Sequence, residues 1–287
     1  MASNSNSDRQ SEPDPKLDVA QDKRELAVAG YRLETCRFGF AQRPLRVVLL
    51  HEGLGSVAAW RDFPARLARQ IGEPVLAYSR AGYGQSSRLT GARDPASMHH
   101  EAQVVLPALL HAFAIEQPIL VGHSEGASIA LIHAGTFSGE GTRTGGGLPV
   151  PPPLGVVAMA PHLFVEDVTV DEIRRVDAAF DTSGLAARLA RHHRDPAGAF
   201  HTWANLWLSP SFQQWNIEAE VATIRCPLLA IQGRDDQFGS ARQIERLAEL
   251  RPHARTLLLA DCRHSPHKEQ TCAVLAALAG FVAGLPH

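Results

Sequence analysis

Short apolar runs recur along the chain and are separated by polar, turn-forming segments. Most of these runs are apolar throughout, which is the pattern of strands that are buried on both faces of a parallel sheet. Residues 24–40 can form an additional antiparallel hairpin before them. The predicted strands are Arg46–Leu50, Val75–Ser79, Pro118–Gly122, Leu154–Ala160, Pro227–Gln232 and Arg255–Ala260.

Between these runs, apolar residues recur with helical spacing. In Ala58–Ile71, for example, Phe63, Leu67 and Ile71 repeat every fourth residue and are interleaved with arginines. Strands that alternate with helices predict βαβ units and an α/β fold with a mostly parallel central sheet flanked by helices. The predicted helices are Ala58–Ile71, Ser97–Phe113, Glu125–His133, Ser240–Leu250 and Glu269–Val282.

Two stretches interrupt the alternation. Ser138–Pro153 is rich in glycine and proline and is predicted to be a surface loop. His162–Glu220 has a mainly helical pattern without a core strand, which predicts a helical cap inserted between two strands. The predicted division is a disordered tail at 1–16, an α/β core at 17–161 and 221–287, and a helical cap at 162–220.

Composition and charge narrow the class of protein. The chain of 287 residues is 45% hydrophobic and 20% charged, with a formal net charge of −2, so it has the apolar residues for a sizeable core and lacks the basic excess of nucleic-acid-binding proteins. It contains neither an apolar run of about 18 residues nor an apolar N-terminal segment, so neither a membrane span nor a secretory signal is expected. We therefore expect a cytoplasmic protein, monomeric or homodimeric, that acts on a small molecule. Its cysteines are expected to be reduced: Cys36, Cys226, Cys262 and Cys272.

The most informative motif is Gly122–Gly126, which reads G-H-S-E-G and matches G-x-S-x-G. It follows the apolar run Ile119–Val121 and precedes a helical segment, and a strand, a sharp turn and a helix are what a nucleophile elbow requires. Bulkier residues at Gly122 or Gly126 would collide with the adjacent strand and helix. Ser124 is therefore the predicted nucleophile.

A serine hydroxyl needs a base, and in this arrangement the acid and the histidine follow the serine in the chain. Asp235 and Asp236 follow the fifth predicted strand, and His264 follows the sixth. We predict that His264 is the base and that Asp236 orients it. His267 is the nearest alternative to His264, and Asp235 is the alternative to Asp236.

A glycine-rich turn, Leu50–Ser56, follows the first predicted strand. Such a turn can present a backbone N–H that forms an oxyanion hole together with the N–H of Glu125. Gly53 is the predicted donor in the turn, and Leu54 is the alternative. Glu52 is unexpected, because a carboxylate near an oxyanion hole opposes the formation of an anion, and its role is left open.

Taken together, the segments LLHEGLGSVAAW, YSRAGYGQSS, VGHSEGAS, IQGRDDQFG and CRHSPH resemble the ordered motifs of the α/β-hydrolase superfamily over about residues 46–285. The resemblance implies the α/β-hydrolase fold and places the oxyanion donor two residues after the histidine of the first motif, at Gly53. The chain departs from the family pattern at Glu52 and at Arg263, where glycine is usual. Dehalogenases and epoxide hydrolases of the superfamily use an aspartate nucleophile, which Ser124 argues against.

Three of the four tryptophans lie in the predicted cap, and Trp203 and Trp207 are one helical turn apart. They form either an apolar wall for a substrate or the contact that holds the cap on the core. The candidate substrate-binding residues are Leu54, His123, Trp203 and Trp207. His192, His193 and His201 lack a matching carboxylate, so no metal site is expected.

These observations predict a serine hydrolase that cleaves a small carboxylic ester, thioester or lactone through an acyl-enzyme intermediate without a cofactor. Two alternatives remain. The same three residues serve related enzymes that cleave a carbon–carbon bond of a diketone-type ring-cleavage product. A ligand-binding protein on a hydrolase scaffold is the other alternative.

Overall fold

Eight strands form one sheet in the order β1-β2-β4-β3-β5-β6-β7-β8. The computed structural model describes residues 21–89, 91–139 and 141–286, so the predicted tail at 1–16 lies outside the described residues. The strands are β1 Gln21–Val28, β2 Tyr31–Phe38, β3 Val47–Leu50, β4 Val75–Tyr78, β5 Ile119–His123, β6 Gly155–Met159, β7 Leu228–Gly233 and β8 Arg255–Leu259.

The hairpin of β1 and β2 is antiparallel, as is the pairing of β2 with β4, and every other pairing in the sheet is parallel. The predicted α/β fold with a mostly parallel sheet is confirmed. The strands β3 to β7 are buried throughout, which accounts for their predominantly apolar sequences. In-register pairs such as Leu50 with Gly122 and His123 with Met159 bring the carboxyl ends of the strands to one edge of the sheet.

The helices lie close to where the apolar spacing predicts them, and two of the predicted helices are interrupted internally. The predicted helix Ala58–Ile71 is divided at Arg61, whose positive φ of 56° ends a short 3₁₀ turn. The predicted helix Ser97–Phe113 contains one wide π-type turn at Glu101–Val105. The helices are α1 Phe63–Ile71, α2 Ser97–His100, α3 Leu106–Ala112, α4 Glu125–Thr136, α5 Asp167–Ala178, α6 Leu185–Leu189, α7 Pro196–Leu208, α8 Glu218–Thr223, α9 Arg242–Leu250, α10 Pro266–Glu269 and α11 Thr271–Ala283.

The helices cover both faces of the sheet. On one face, α1 packs against α11, and both contribute side chains to the core with the alternate residues of the strands. On the other face, α4 packs against α8, and the apolar residues of α7 join that same core. Among the described residues, no helix has the length and apolar character that are needed to cross a membrane.

The chain between β6 and β7 contains α5 to α8, and we call this segment, residues 160–227, the helical insertion. Within it, the Ile217 N–H donates to the carbonyl of Leu163 over 2.8 Å, which closes the segment between these two residues into a loop. The predicted cap boundary at residue 220 falls inside α8. This helix packs against α4 and α9, two of the helices that flank the sheet. The division of the chain into a core and a cap stays a prediction.

Two buried histidines predict a loss of stability in mild acid. Burial lowers the pKa of His133 and of His162 to about 4, against an ordinary value of 6.5. The unfolded chain therefore binds these protons before the folded chain does, so the stabilisation is complete above about pH 6.5 and is lost as the pH falls towards 4. A shift of about 2.5 units, from 6.5 − 4, corresponds to about 3 kcal/mol for each histidine, of which roughly 2 kcal/mol is lost by about pH 5.

Urea unfolding at about pH 7.5 and about pH 5 measures this loss. In the variant His133→Asn, the amide can still donate to the carbonyl of Ala102, which the His133 ring contacts at 2.8 Å. We expect this variant to lose roughly 2 kcal/mol less than the wild type between the two pH values. The exposed His253 provides the matched control His253→Asn, which should lose as much as the wild type. An equal loss in all three proteins would contradict the prediction.

Candidate active site

Ser124 lies in the sharp turn between β5 and α4. Its backbone has φ 53° and ψ −122°, a conformation that L-residues rarely adopt. A Cβ on Gly122 would lie 2.3 Å from the carbonyl oxygen of Gly126, and a Cβ on Gly126 would lie 2.1 Å from that of Leu50. Both glycines are therefore required by close backbone contacts, and the turn projects Ser124 from the edge of the sheet where the carboxyl ends meet.

A hydrogen-bonded chain connects Ser124 to His264 and Asp236. The Oγ of Ser124 is 3.0 Å from Nε2 of His264, and Nδ1 of His264 is 2.9 and 2.8 Å from the two carboxylate oxygens of Asp236. The three side chains come from the loops after β5, β7 and β8, and the parallel register of these strands is what brings them together. The structure therefore brings together the three residues that the sequence predicts as nucleophile, base and acid.

Asp236 is distinguished from Asp235 by its surroundings. Its side chain is 1% exposed and accepts hydrogen bonds from Nε2 of Gln232 at 2.7 Å and from the Phe238 N–H at 2.8 Å. Burial alone would raise the pKa of the Asp236 carboxyl, but the ring of His264 and the Phe238 N–H hold the pKa below its ordinary value. Asp235 is exposed to solvent. Asp236 is thus the carboxylate that faces the histidine.

His267, the alternative base, lies behind the site. Its ring packs 4.8 Å from Trp60 and 5.4 Å from Phe63, measured between ring centroids, and burial lowers its pKa well below 6.5. The ring that reaches the Ser124 hydroxyl belongs to His264. His267 is packed among aromatic side chains and does not hydrogen-bond to the serine.

The predicted oxyanion donors flank the serine. Gly53 and Leu54 line the same cavity as Ser124, and Glu125 is the first residue of α4, where the helix leaves its N–H groups without internal acceptors. No acceptor is found for the N–H of Gly53, Leu54 or Glu125 among the hydrogen bonds of residues 21–89, 91–139 and 141–286. A Cβ on Gly53 would lie 2.3 Å from the indole nitrogen of Trp203, so only glycine fits at this position.

The carboxylate of Glu52, which the sequence leaves unexplained, has two basic neighbours. Nζ of Lys268 is 3.3 Å from one oxygen, and Nδ1 of His123 is 3.4 Å from the other. Burial alone would raise the pKa of Glu52, but Lys268 and His123 hold it well below its ordinary value. The negative charge of Glu52 is therefore offset locally. Lys268 stands 216 residues away in the chain, so the sequence gives no sign of this pair.

His123 is not among the residues that line the cavity at Ser124. It is 1% exposed, and its Nε2 donates to the carbonyl of His264 over 2.7 Å. Its other ring nitrogen faces Glu52. The structure therefore places this candidate substrate-binding residue behind the site, where it supports the loop that carries His264.

A cavity of about 380 Å³ opens at Ser124 and is the space available to a substrate. Three predicted substrate-binding residues, Leu54, Trp203 and Trp207, line it. Its other apolar walls come largely from the helical insertion: Ile173, Val176, Ala179 and Leu185, with Phe238 from the loop after β7.

His162 is a lining residue that the sequence analysis missed. It is 2% exposed, its ring centroid lies 5.9 Å from that of His264, and burial lowers its pKa to about 4, so the ring is neutral at pH 7. The signal that could have identified it is its position just after β6, at the same edge of the sheet as Ser124.

His193, one of the histidines considered as metal ligands, makes hydrogen bonds within the protein. His193 accepts from the Gly84 N–H over 3.0 Å and donates to the carbonyl of Leu54 over 2.9 Å, which occupies both ring nitrogens. Within the part of the chain that the structure describes, no group of three or more His, Cys, Asp or Glu side chains is arranged to hold a metal ion.

The mostly parallel sheet flanked by helices is the fold of an α/β hydrolase. A sequence model described as the alpha/beta hydrolase family matches residues 47–278, and the chain belongs to that family. It is 30% identical over 239 residues to RutD of Pseudomonas savastanoi pv. phaseolicola (strain 1448A / Race 6), which carries the provisional name carbamate hydrolase. The match covers 79% of this chain and 88% of that protein.

Solved structures show the same fold at lower identity. The enol-lactonase from Burkholderia xenovorans LB400 superposes with a TM-score of 0.68 at 18% identity, over 91% of this chain and 100% of that one. E-2-(acetamidomethylene)succinate hydrolase superposes with a TM-score of 0.68 at 16% identity, over 92% and 100% of the two chains.

Proposed function

We propose that the protein is a serine hydrolase that cleaves a small carboxylic ester through an acyl-enzyme intermediate. The observation that carries the proposal is the chain of hydrogen bonds from Ser124 through His264 to Asp236, which ends at a cavity of about 380 Å³. Nucleophile, base and orienting acid within hydrogen-bond reach are the signature of an activated serine. The same geometry accommodates a thioester or a lactone.

In the first step, Ser124 Oγ attacks the ester carbonyl while His264 takes its proton. The negative charge that develops on the carbonyl oxygen is stabilised by the N–H groups of Gly53 and Glu125. His264 then gives the proton to the leaving alcohol, and the acyl group remains on Ser124. Water, deprotonated by His264, releases the acid and restores the serine. Asp236 keeps the proton on Nδ1 of His264 and stabilises the ring when it becomes a cation.

The walls of the cavity favour a substrate with an apolar acyl or aromatic group. Its volume lies within the range that small-molecule sites occupy. A wall built from Trp203, Trp207 and aliphatic side chains contributes binding through burial of apolar area. No step of this mechanism requires a cofactor, and we propose a cytoplasmic enzyme, monomeric or homodimeric, with a small-molecule substrate.

A carbamate is the second candidate substrate, because the relative that is 30% identical is named for carbamate hydrolysis. Attack of Ser124 on a carbamate carbonyl uses the same base and the same oxyanion donors. Cleavage of a diketone carbon–carbon bond also uses a serine, a histidine and an aspartate. A ligand-binding protein, the remaining alternative, would not need a reactive serine.

The first test is labelling with a fluorophosphonate probe, which reports an activated serine and does not require the natural substrate. We expect a single adduct by intact mass, mapped to the peptide that contains Ser124. Hydrolysis of matched aryl esters, aryl carbamates and diketones then ranks the substrates, with the esters expected to react fastest. A folded protein without an adduct would count against the proposal, and a ligand retained through purification would then support the binding-protein alternative.

A further inference from the structure

A buried arginine lies beneath the proposed oxyanion hole. Arg80 follows β4 and is 1% exposed. Its Nη1 donates to the carboxylate of Glu125 over 2.8 Å, and its Nη2 donates to the backbone carbonyl of Glu52 over 2.9 Å. One guanidinium thus connects the turn that carries Gly53 to the residue that directly follows Ser124.

The Glu52 carbonyl receives two further hydrogen bonds. Nδ1 of His51 is 2.7 Å away, and the Gly55 N–H donates over 3.0 Å. The Arg80 N–H donates to Nε2 of His51 over 3.0 Å, which requires the proton of that ring to be on Nδ1, where it donates to the Glu52 carbonyl. Arg80 therefore acts on this carbonyl directly through its side chain and indirectly through His51.

The orientation of the Glu52 carbonyl sets the orientation of the Gly53 N–H. Both belong to the same peptide group, which is planar and trans, so they point in opposite directions. Donors hold the carbonyl on the protein side, and Gly53 lines the cavity at Ser124 on the other. A cation on the carbonyl oxygen also polarises the peptide and makes its N–H a stronger donor.

We propose that Arg80 is a positioning residue that fixes and polarises the Glu52–Gly53 peptide, so that the Gly53 N–H is oriented towards the oxyanion before the substrate binds. The inference rests on the proposed serine-hydrolase function and assigns a role within it.

The carboxylate of Glu125 holds the guanidinium in place. It is 1% exposed, it receives Nη1 of Arg80, and its other oxygen accepts from the indole N–H of Trp207 over 2.8 Å. Although burial alone would raise the pKa of Glu125 and lower that of Arg80, each charge stabilises the other, so the pKa of Glu125 falls and that of Arg80 rises. Glu125 therefore has two proposed roles. Its N–H is the second oxyanion donor, and its carboxylate holds Arg80, which positions the first donor, the Gly53 N–H.

A purely structural ion pair would give the same contacts, so the test separates stability from positioning. Arg80→Met leaves Glu125 buried without its partner and is expected to lower both the melting temperature and kcat. The double variant Arg80→Met/Glu125→Leu replaces the buried pair with apolar side chains, a change that commonly restores stability. If Arg80 positions the peptide, the double variant recovers stability while kcat for an aryl ester stays about 10- to 100-fold below that of the wild type, with KM within about two-fold.

The matched control is Arg93→Met, because the Arg93 guanidinium also packs on Tyr83, at 4.6 Å from the ring centroid against 5.0 Å for Arg80, and donates to the carbonyl of Ala81. We expect this control to retain the wild-type kcat.

A second measurement follows the Gly53 amide by NMR, using protein labelled with ¹⁵N. Loss of the cation on the Glu52 carbonyl is expected to move the Gly53 amide proton upfield in Arg80→Met and in the double variant, but not in Arg93→Met. A double variant that recovered kcat together with its stability, or an unchanged Gly53 amide, would overturn the inference and leave the proposed function intact. A wild-type protein that does not react with fluorophosphonate would overturn both.

Discussion

Replacement of Ser124 by alanine is expected to lower kcat for ester hydrolysis by about 10⁶-fold and to abolish the fluorophosphonate adduct. Alanine removes the atom that is proposed to attack the carbonyl, and the Nε2 of His264, 3.0 Å from Oγ in the wild type, is left without a serine proton to accept. Any remaining rate would come from the oxyanion donors and from binding alone. Because the cavity walls are unchanged, binding of a non-hydrolysable ester analogue should be retained.

The control is Ser211→Ala, which alters an exposed serine whose hydroxyl contacts only the Ser209 hydroxyl among the described residues. This variant should react and label as the wild type does. Labelling that persisted in Ser124→Ala would show that another residue is the nucleophile, and retention of most of kcat would exclude the acyl-enzyme mechanism.

Asp236→Asn is expected to lower kcat by about 10⁴-fold, whereas Asp235→Asn should change it by less than about three-fold. The carboxylate of Asp236 accepts a hydrogen bond from Nδ1–H of His264 and, in the proposed mechanism, stabilises the ring when it becomes a cation. The amide nitrogen of asparagine donates instead, and it would favour the tautomer with the proton on Nε2, which cannot deprotonate Ser124.

Asp235→Asn is a close control for Asp236→Asn, because both variants remove one negative charge from the same loop. Asp235 is exposed and Asp236 is not, so the effect of charge alone on the cavity is common to both while the contact with His264 is lost in one. Steady-state kinetics gives kcat for the two variants, and circular dichroism shows whether both are folded. A larger loss in Asp235→Asn would assign the acid to that residue and would contradict the geometry.

Much of the architecture could be read from local patterns. Strands β3 to β7 are buried on both faces, so each one appears as a predominantly apolar run. The glycines around Ser124 mark a turn that no bulkier residue can form. The order of serine, acid and histidine then follows from which strands end at the same edge of the sheet. The interruption of a helix at Arg61 depends on the backbone conformation of a single residue, and the spacing of apolar residues does not indicate that conformation.

The side chains that support the site could not be predicted from local sequence patterns. Lys268 beside Glu52 and His162 beside the cavity are brought there by strands and helices that are distant in the chain. The sequence favours Asp236 over Asp235, but which of these two adjacent carboxylates faces His264 is visible only in the folded loop.

Local sequence fixes the elements and the elbow at Ser124, because backbone propensity and burial act over a few residues. The partners of Glu52, the position of His123 behind the site, and the guanidinium of Arg80 on the Glu52 carbonyl depend on long-range packing. Electrostatic contacts between buried groups are set by distances in space, and those distances exist only once the sheet has aligned the loops that follow its strands.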